Sequence, residues 1–425
     1  MNRVFSRTTL GNGVNVYTYR TGKFKTNMVK VFLHNPLTRD LVTRTALVPA
    51  VLKRGCLGFE TSREISRHLD GLYGARLDAG VFKLGDSHVI QVGIEVVNPR
   101  FVRESEDLTE RAIEFLSRIV FQPVTEGGAF KREYVAQEKD VLSREIAAVI
   151  NEKSRYALIR CVQEMFRGDP FGMHELGFSD DIPLIDGAGL FQVYERTIEE
   201  SPIEVCVVGD VDEDSAVRMV EQSFGTAPRR GSRVRQTVRA HATPEPRLVV
   251  EHQDVSQAKL CLGFAVDMSG PDALYRAMFY DGILGGFVHS KLFTNVREKA
   301  GLAYYASSLL NPVKGFLVVT SGIDASKYEE ALGIIMRQAE DIKDGNVSES
   351  EMDFTRKALV NRVLSWEDSA ASKIASFVEM LAMGCVQGLE ERIRAIERVS
   401  RDEVIEAAQG VKLDTIYFLR DHGDA

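Results

Sequence analysis

The chain has 425 residues, of which 44% are hydrophobic and 27% charged, a globular balance that excludes disordered, collagen-like and disulfide-scaffold chains. At roughly 150 residues per domain the length suggests two or three domains. Lysine and arginine number 53 against 61 acids, and the net charge of −8 argues against a dedicated nucleic-acid binder, which needs a basic surplus to neutralise phosphate. Val14–Tyr19 alternates like a strand after the turn signal Leu10-Gly11-Asn12-Gly13, whose Asn-Gly tolerates positive φ at both turn positions. A second strand covers Met28–Leu33, and a helix runs from Thr38 or Arg39 towards Arg54 and Gly55. Thr61 is an N-cap signal for the helix carrying Glu64 and Leu69. Strands at Ala75–Leu84 and His88–Val97 join at Gly85-Asp86, and helices cover Leu108–Val120, Phe130–Ile150 and Lys153–Phe166. Gly187-Ala188-Gly189 reads as a loop, Ile203–Gly209 as a buried strand and Glu213–Phe224 as a closing helix.

The second half repeats that order. Strands at Leu248–Glu251 and Ala258–Val266 precede helices at Ala273–Leu284 and His289–Lys299. A strand starting at Gly301 and another at Phe316–Ser321 follow, then helices at Lys327–Ile342 and Glu349–Leu364, more helix to Ala408, and a strand at Thr415–Leu419. Gly74-Ala75-Arg76-Leu77 and Gly301-Leu302-Ala303-Tyr304 hold the same place in the two halves, the mark of an internal duplication. The expected fold is α+β. Two homologous repeats, residues 1–225 and 246–425, each form an antiparallel-rich sheet with helices on one face. The connection at 226–245 is rich in arginine and reads as a solvated linker.

The eight histidines include no pair three or four residues apart, so no HxxxH, HExxH or HxxEH zinc helix exists. No GxSxG elbow, Walker loop or strand-borne GxGxxG is present either. Glu138 and Glu145 lie about two turns apart on one helix and face one way. They suit metal binding or proton transfer, or more plainly form a solvated face beside Lys139, Asp140 and Arg144. Arg297 ends a helix, where a cation suits the dipole, and Tyr304 begins a strand. In one cleft, such a guanidinium and phenol hold a peptide carbonyl and its developing oxyanion. The five cysteines, Cys56, Cys161, Cys206, Cys261 and Cys385, form no CxxC motif and fit a reduced compartment. With no apolar run of about 20 residues, a cytoplasmic location without membrane partners is expected.

Val296-Arg297-Glu298-Lys299-Ala300-Gly301-Leu302-Ala303-Tyr304 resembles the LRExxGLxY segment of the insulinase/pitrilysin zinc peptidases. Leu284-Gly285-Gly286 with Ser290–Phe293, Leu10–Val14 and Val207–Val211 resemble other family segments, in order and over nearly the whole chain. The resemblance implies paired repeats of about 200 residues around a peptide chamber. One half of such a chamber carries HxxEH and a downstream glutamate, and the other contributes Arg and Tyr. This sequence departs from that pattern where zinc would bind. Ala46 and Ala50 stand at the histidine places and Pro49 at the glutamate, and none of them offers a lone pair. Glu138 and Glu145 resemble the downstream glutamates, with Glu145 a relic ligand. Asp70–Ala75, Lys153–Ala157 and Glu164–Phe166 resemble a bacterial branch without the zinc motif, labelled as associated with elongation factor P modification.

The resemblance therefore implies a non-catalytic subunit that binds no metal or cofactor itself. It would set Arg297 and Tyr304 against the zinc of an HxxEH-bearing partner, acting on unfolded peptide. The alternative is an inactive homodimeric peptide-binding or scaffold protein.

Overall fold

The structure, a computed structural model, describes residues 4–103, 107–226, 229, 245–270 and 272–423. The arginine-rich stretch read as a linker lies almost wholly outside the described residues. Strands β1 (Ser6–Thr9), β2 (Asn15–Arg20) and β3 (Thr26–Pro36) are followed by helices α1 (Val42–Leu52) and α2 (Ser62–Gly71). The hairpin β4 (Arg76–Leu84) and β5 (Ser87–Val97) leads to α3 (Leu108–Phe121) and a ribbon of β6 (Thr125–Glu126) and β7 (Ala129–Phe130). Helices α4 (Arg132–Ala148), α5 (Lys153–Met165) and α6 (Gly187–Glu200), strand β8 (Ile203–Gly209) and α7 (Glu213–Phe224) close the first half. The second contains β9 (Arg247–His252), β10 (Ala258–Ala265), α8 (Ala273–Asp281), β11 (Ala303–Asn311) and β12 (Phe316–Ile323). It ends with α9 (Tyr328–Lys343), α10 (Glu349–Trp366), α11 (Ala370–Met383), α12 (Leu389–Arg398), α13 (Arg401–Gln409) and β13 (Lys412–Arg420).

The first sheet is ordered β1-β2-β8-β3-β5-β4 and the second, read from its other edge, β9-β13-β10-β12-β11. Apart from β1 the two orders correspond strand for strand. In each, the first of the shared strands pairs in parallel with the last strand of its half, β2 with β8 and β9 with β13, while the other pairings are antiparallel. The chain is thus an α+β protein of two like halves.

Alternation along the strands divides each sheet into two apolar faces. Val29, Val31 and Leu33 of β3, with Val205 and Val207 of β8, pack against α1, α3 and α6. Met28, Phe32, Cys206 and Val208 point the other way and are covered by Ile374, Phe377 and Val378 of α11, from the second half. Reciprocally, Ala157, Cys161 and Met165 of α5 cover Cys261, Ala265, Tyr417 and Leu419 of the second sheet. Helices therefore lie on both faces of each sheet, and the face left open by the sequence pattern receives one helix from the opposite half. Each large side chain fully buried there contributes about 1.5 to 3 kcal/mol. Gly263 of β10 permits the close approach of α5, since a Cβ there would sit 3.0 Å from Met165 Sδ. Lys314, fully buried in the β11–β12 turn, joins the halves through Asp86 at 2.7 Å and Asp169 at 3.5 Å.

Several local expectations shift. The predicted helix at Thr38 starts at Val42, because residues 38–41 form a turn in which Val42 N–H donates to the Thr38 carbonyl. Only Gly13 of the Asn-Gly turn takes positive φ, at 85°, in a five-residue connection between β1 and β2. Phe130 pairs in β7 and does not open the long helix, which ends at Ala148 before a 3-10 turn at Val149–Asn151. Gly187-Ala188-Gly189 is the first turn of α6 and not a loop, because the Asp186 carboxylate accepts from Gly189 N–H at 2.7 Å and caps it. Gly282–Gly286 and Phe293–Lys299 are wide π-helical turns in place of ordinary helix, and the strand expected from Gly301 begins at Ala303.

Candidate functional site

Helix α1 holds the positions expected to correspond to the zinc motif. Ala46 packs in the first core, Pro49 is buried and Ala50 is half-buried. Pro49 sits well inside the helix, neither breaking nor starting it, and its carbonyl accepts from Lys53 N–H at the C-terminus. A zinc ion requires nitrogen, sulfur or oxygen donors in a tetrahedral set. Two methyl groups and a pyrrolidine ring provide none, so these side chains do not fit the ion. Among the described residues no group of three or more His, Cys, Asp or Glu could hold a metal ion.

The facing helix α4 carries Glu138 and Glu145. Glu138 is 7% exposed and takes both Nε and a terminal nitrogen of Arg54, just beyond α1. Glu145 is exposed to solvent. The solvated face therefore holds for Glu145 alone, while Glu138 is turned to a charge-assisted bond with the Arg54 guanidinium.

Arg297 and Tyr304 flank one corner of the second half. The Ala300 N–H donates to the Asn295 carbonyl and Leu302 N–H to the Val296 carbonyl, closing the π-helical turn. Gly301 then adopts φ of 62°, a left-handed conformation that any side chain would strain, and the chain enters β11. The β11–β12 register slips between Ala303 and Tyr305, which leaves Tyr304 as the extra residue of a bulge on the sheet's edge. Bulges re-aim side chains, and here the result is a phenol 78% exposed. Arg297 is also exposed, its guanidinium 4.6 Å from the Phe293 ring centre. Neither side chain forms a hydrogen bond or ion pair with the described residues.

Two features were not anticipated from the sequence. A cleft of about 440 Å³ between the first sheet and α11 contains His34, whose Nε2 lies 3.1 Å from Glu204. In the second half Asp281 ends α8, and only 4% of it is exposed. Ser308 Oγ donates to it at 2.6 Å, while burial pushes the acid up to about 6 against the opposing effects of Ser308 and Arg362. A lone acid in the apolar run Ala273–Leu284 was the available signal. No helix among the described residues is long and apolar enough to cross a membrane.

A family model described as "Peptidase M16 inactive domain" matches residues 190–359. A "Probable inactive metalloprotease YmfF" of Bacillus subtilis is 36% identical over 410 residues, covering 96% of each chain. A conserved protein from Enterococcus faecalis superposes with a TM-score of 0.91 at 27% identity over the whole of both chains. An M16 inactive domain from Pseudomonas fluorescens gives 0.82 at 18% identity over 98% of each, and supports the fold alone. Sequence and fold agree across both halves, and the chain belongs to the M16 peptidase family, the insulinase and pitrilysin type, with no HxxEH motif in its sequence.

Proposed function

We propose that the chain is the non-catalytic subunit of a two-chain zinc peptidase and acts on unfolded peptide held between the subunits. The supporting observation is Tyr304, lifted from an edge strand by a bulge, highly exposed and without a hydrogen bond to the described residues. A phenol placed this way donates to an oxyanion that forms on peptide at the partner's zinc, while Arg297 binds a neighbouring substrate carbonyl. This chain supplies donors and charge, and the metal chemistry belongs to the HxxEH-bearing partner.

The test mixes this chain with such a partner and assays a flexible peptide. Tyr304→Phe removes the donor and little else, and turnover of the mixture should fall by about 10²–10³. Unchanged turnover removes the oxyanion role. A tight homodimer that ignores the zinc-bearing chain in analytical ultracentrifugation would replace this reading with that of a homodimeric peptide-binding protein.

A further inference from the structure

A cavity of about 140 Å³ lies between α8, β11 and helices α10–α12, and neither Arg297 nor Tyr304 lines it. Its walls carry two guanidiniums, each laid on an aromatic ring. Arg392 is only 8% exposed and lies 4.6 Å from the Trp366 ring centre. Arg362 is half-buried, 4.3 Å from the Phe287 ring centre, and donates to the Gly286 carbonyl at 3.3 Å. Neither guanidinium has a carboxylate within 4.0 Å among the described residues, although Asp281 and Glu379 line the same cavity. Glu367, near Arg392, is bound to Lys373. Asp281 is held by Ser308, and Glu379 is acted on by the Arg392 charge from beyond 4 Å without a direct ion pair. Arg392 is hydrogen-bonded to Tyr275 and feels Glu367 only from beyond 4 Å, so its buried charge is compensated at a distance and an anion in direct contact would complete it. Planar guanidiniums fixed on rings match the two oxygens of a carboxylate. Met278, Leu309, Leu310 and Met380 form the apolar part of the wall, and a second cavity of about 160 Å³ adjoins it through Tyr275 and Met383.

We infer that this cavity is a binding site for a small carboxylate with an apolar body, its carboxylate received by Arg392 and Arg362. The site goes beyond the proposed subunit role, because it uses neither Tyr304 nor a zinc-bearing partner. The same chemistry is offered by the C-terminus of a short peptide and by a free apolar acid.

Isothermal titration calorimetry on the full chain at neutral pH tests the site with N-acetyl-Ala-Leu, its C-terminal amide, 3-phenylpropanoate and inorganic phosphate. At least one of the two acids should bind, and the tighter one identifies the source. The amide should bind at least about tenfold more weakly than N-acetyl-Ala-Leu if the peptide terminus is the ligand, as expected for loss of charge-assisted bonds. Arg392→Met should weaken the bound acid by at least about tenfold while circular dichroism reports a folded chain. Arg362→Met serves as the second variant if Arg392→Met does not fold. The inference is overturned if neither acid binds at concentrations on the order of 1 mM. It is also overturned if phosphate binds as tightly as the better acid, or if folded arginine variants bind as the parent does.

Discussion

The exchanged helices occupy corresponding faces of the two sheets, yet their seats are built differently. Helix α11 reaches the first sheet through an aromatic cluster: Phe377 stacks on Phe5 with ring centres 4.0 Å apart and meets Tyr17 edge-on at 4.9 Å. Helix α5 reaches the second sheet through small and sulfur-bearing side chains, Ala157, Cys161 and Met165, over Gly263. One seat is filled by large rings and the other by close backbone approach. Equal topology therefore does not require equal packing, because a face is satisfied by whatever volume excludes water from it. The helices after the central strands differ as well. Helix α1 carries the apolar Ala46, Pro49 and Ala50, whereas α8 ends in the buried acid Asp281.

The sharpest way to break the comparison is at the aromatic seat. Phe377→Ala leaves a cavity beneath α11 and should lower stability by about 3 to 5 kcal/mol, read from urea unfolding. Lys314→Met removes the cation that joins the halves through Asp86 and Asp169, for an expected loss of about 3 kcal/mol in the same experiment. Asp281→Asn tests the acid at the end of α8. The folded acid is raised to about 6 from 3.8, so the native state binds the proton more tightly than the unfolded chain and stability falls as pH rises between those values. The asparagine variant should lack that fall and be more stable than the parent at pH 7 by about 2 to 3 kcal/mol. At pH 3 the two should converge; a difference that does not depend on pH would show that charge is not the cause. Gly263→Ala presses a methyl group towards Met165 and should cost about 1 to 2 kcal/mol, a smaller effect because the flexible thioether can move.

Much of the local architecture was legible. Thr61 was read as an N-cap, and it forms a full capping box with Glu64. The longer strands of both halves lie close to where alternation places them, although β1, β6 and β7 carry no such signal, and the repeated Gly74 and Gly301 both take positive φ before corresponding edge strands. The loss of the zinc side chains needed no structure. The pairing of Glu138 with Arg54 was hidden because the partner is 84 residues away and charges on a helix surface carry no label of their partner. The Arg392–Arg362 cavity was hidden for a similar reason, since its walls come from segments separated in sequence and meet only when α10, α11 and α12 pack beside α8.

By itself the sequence determined that this is a repeated α+β chain of a peptidase lineage without an HxxEH motif. Periodicity records which face of a helix or strand avoids water, and side-chain chemistry records what can ligate. Tertiary structure decided that α5 and α11 cross to the opposite sheets, that Tyr304 is lifted out by a bulge and that two ring-stacked arginines meet in one cavity. An apolar stripe specifies that a face must be covered but not by which segment, and that choice is made by shape, loop reach and the volumes already in place.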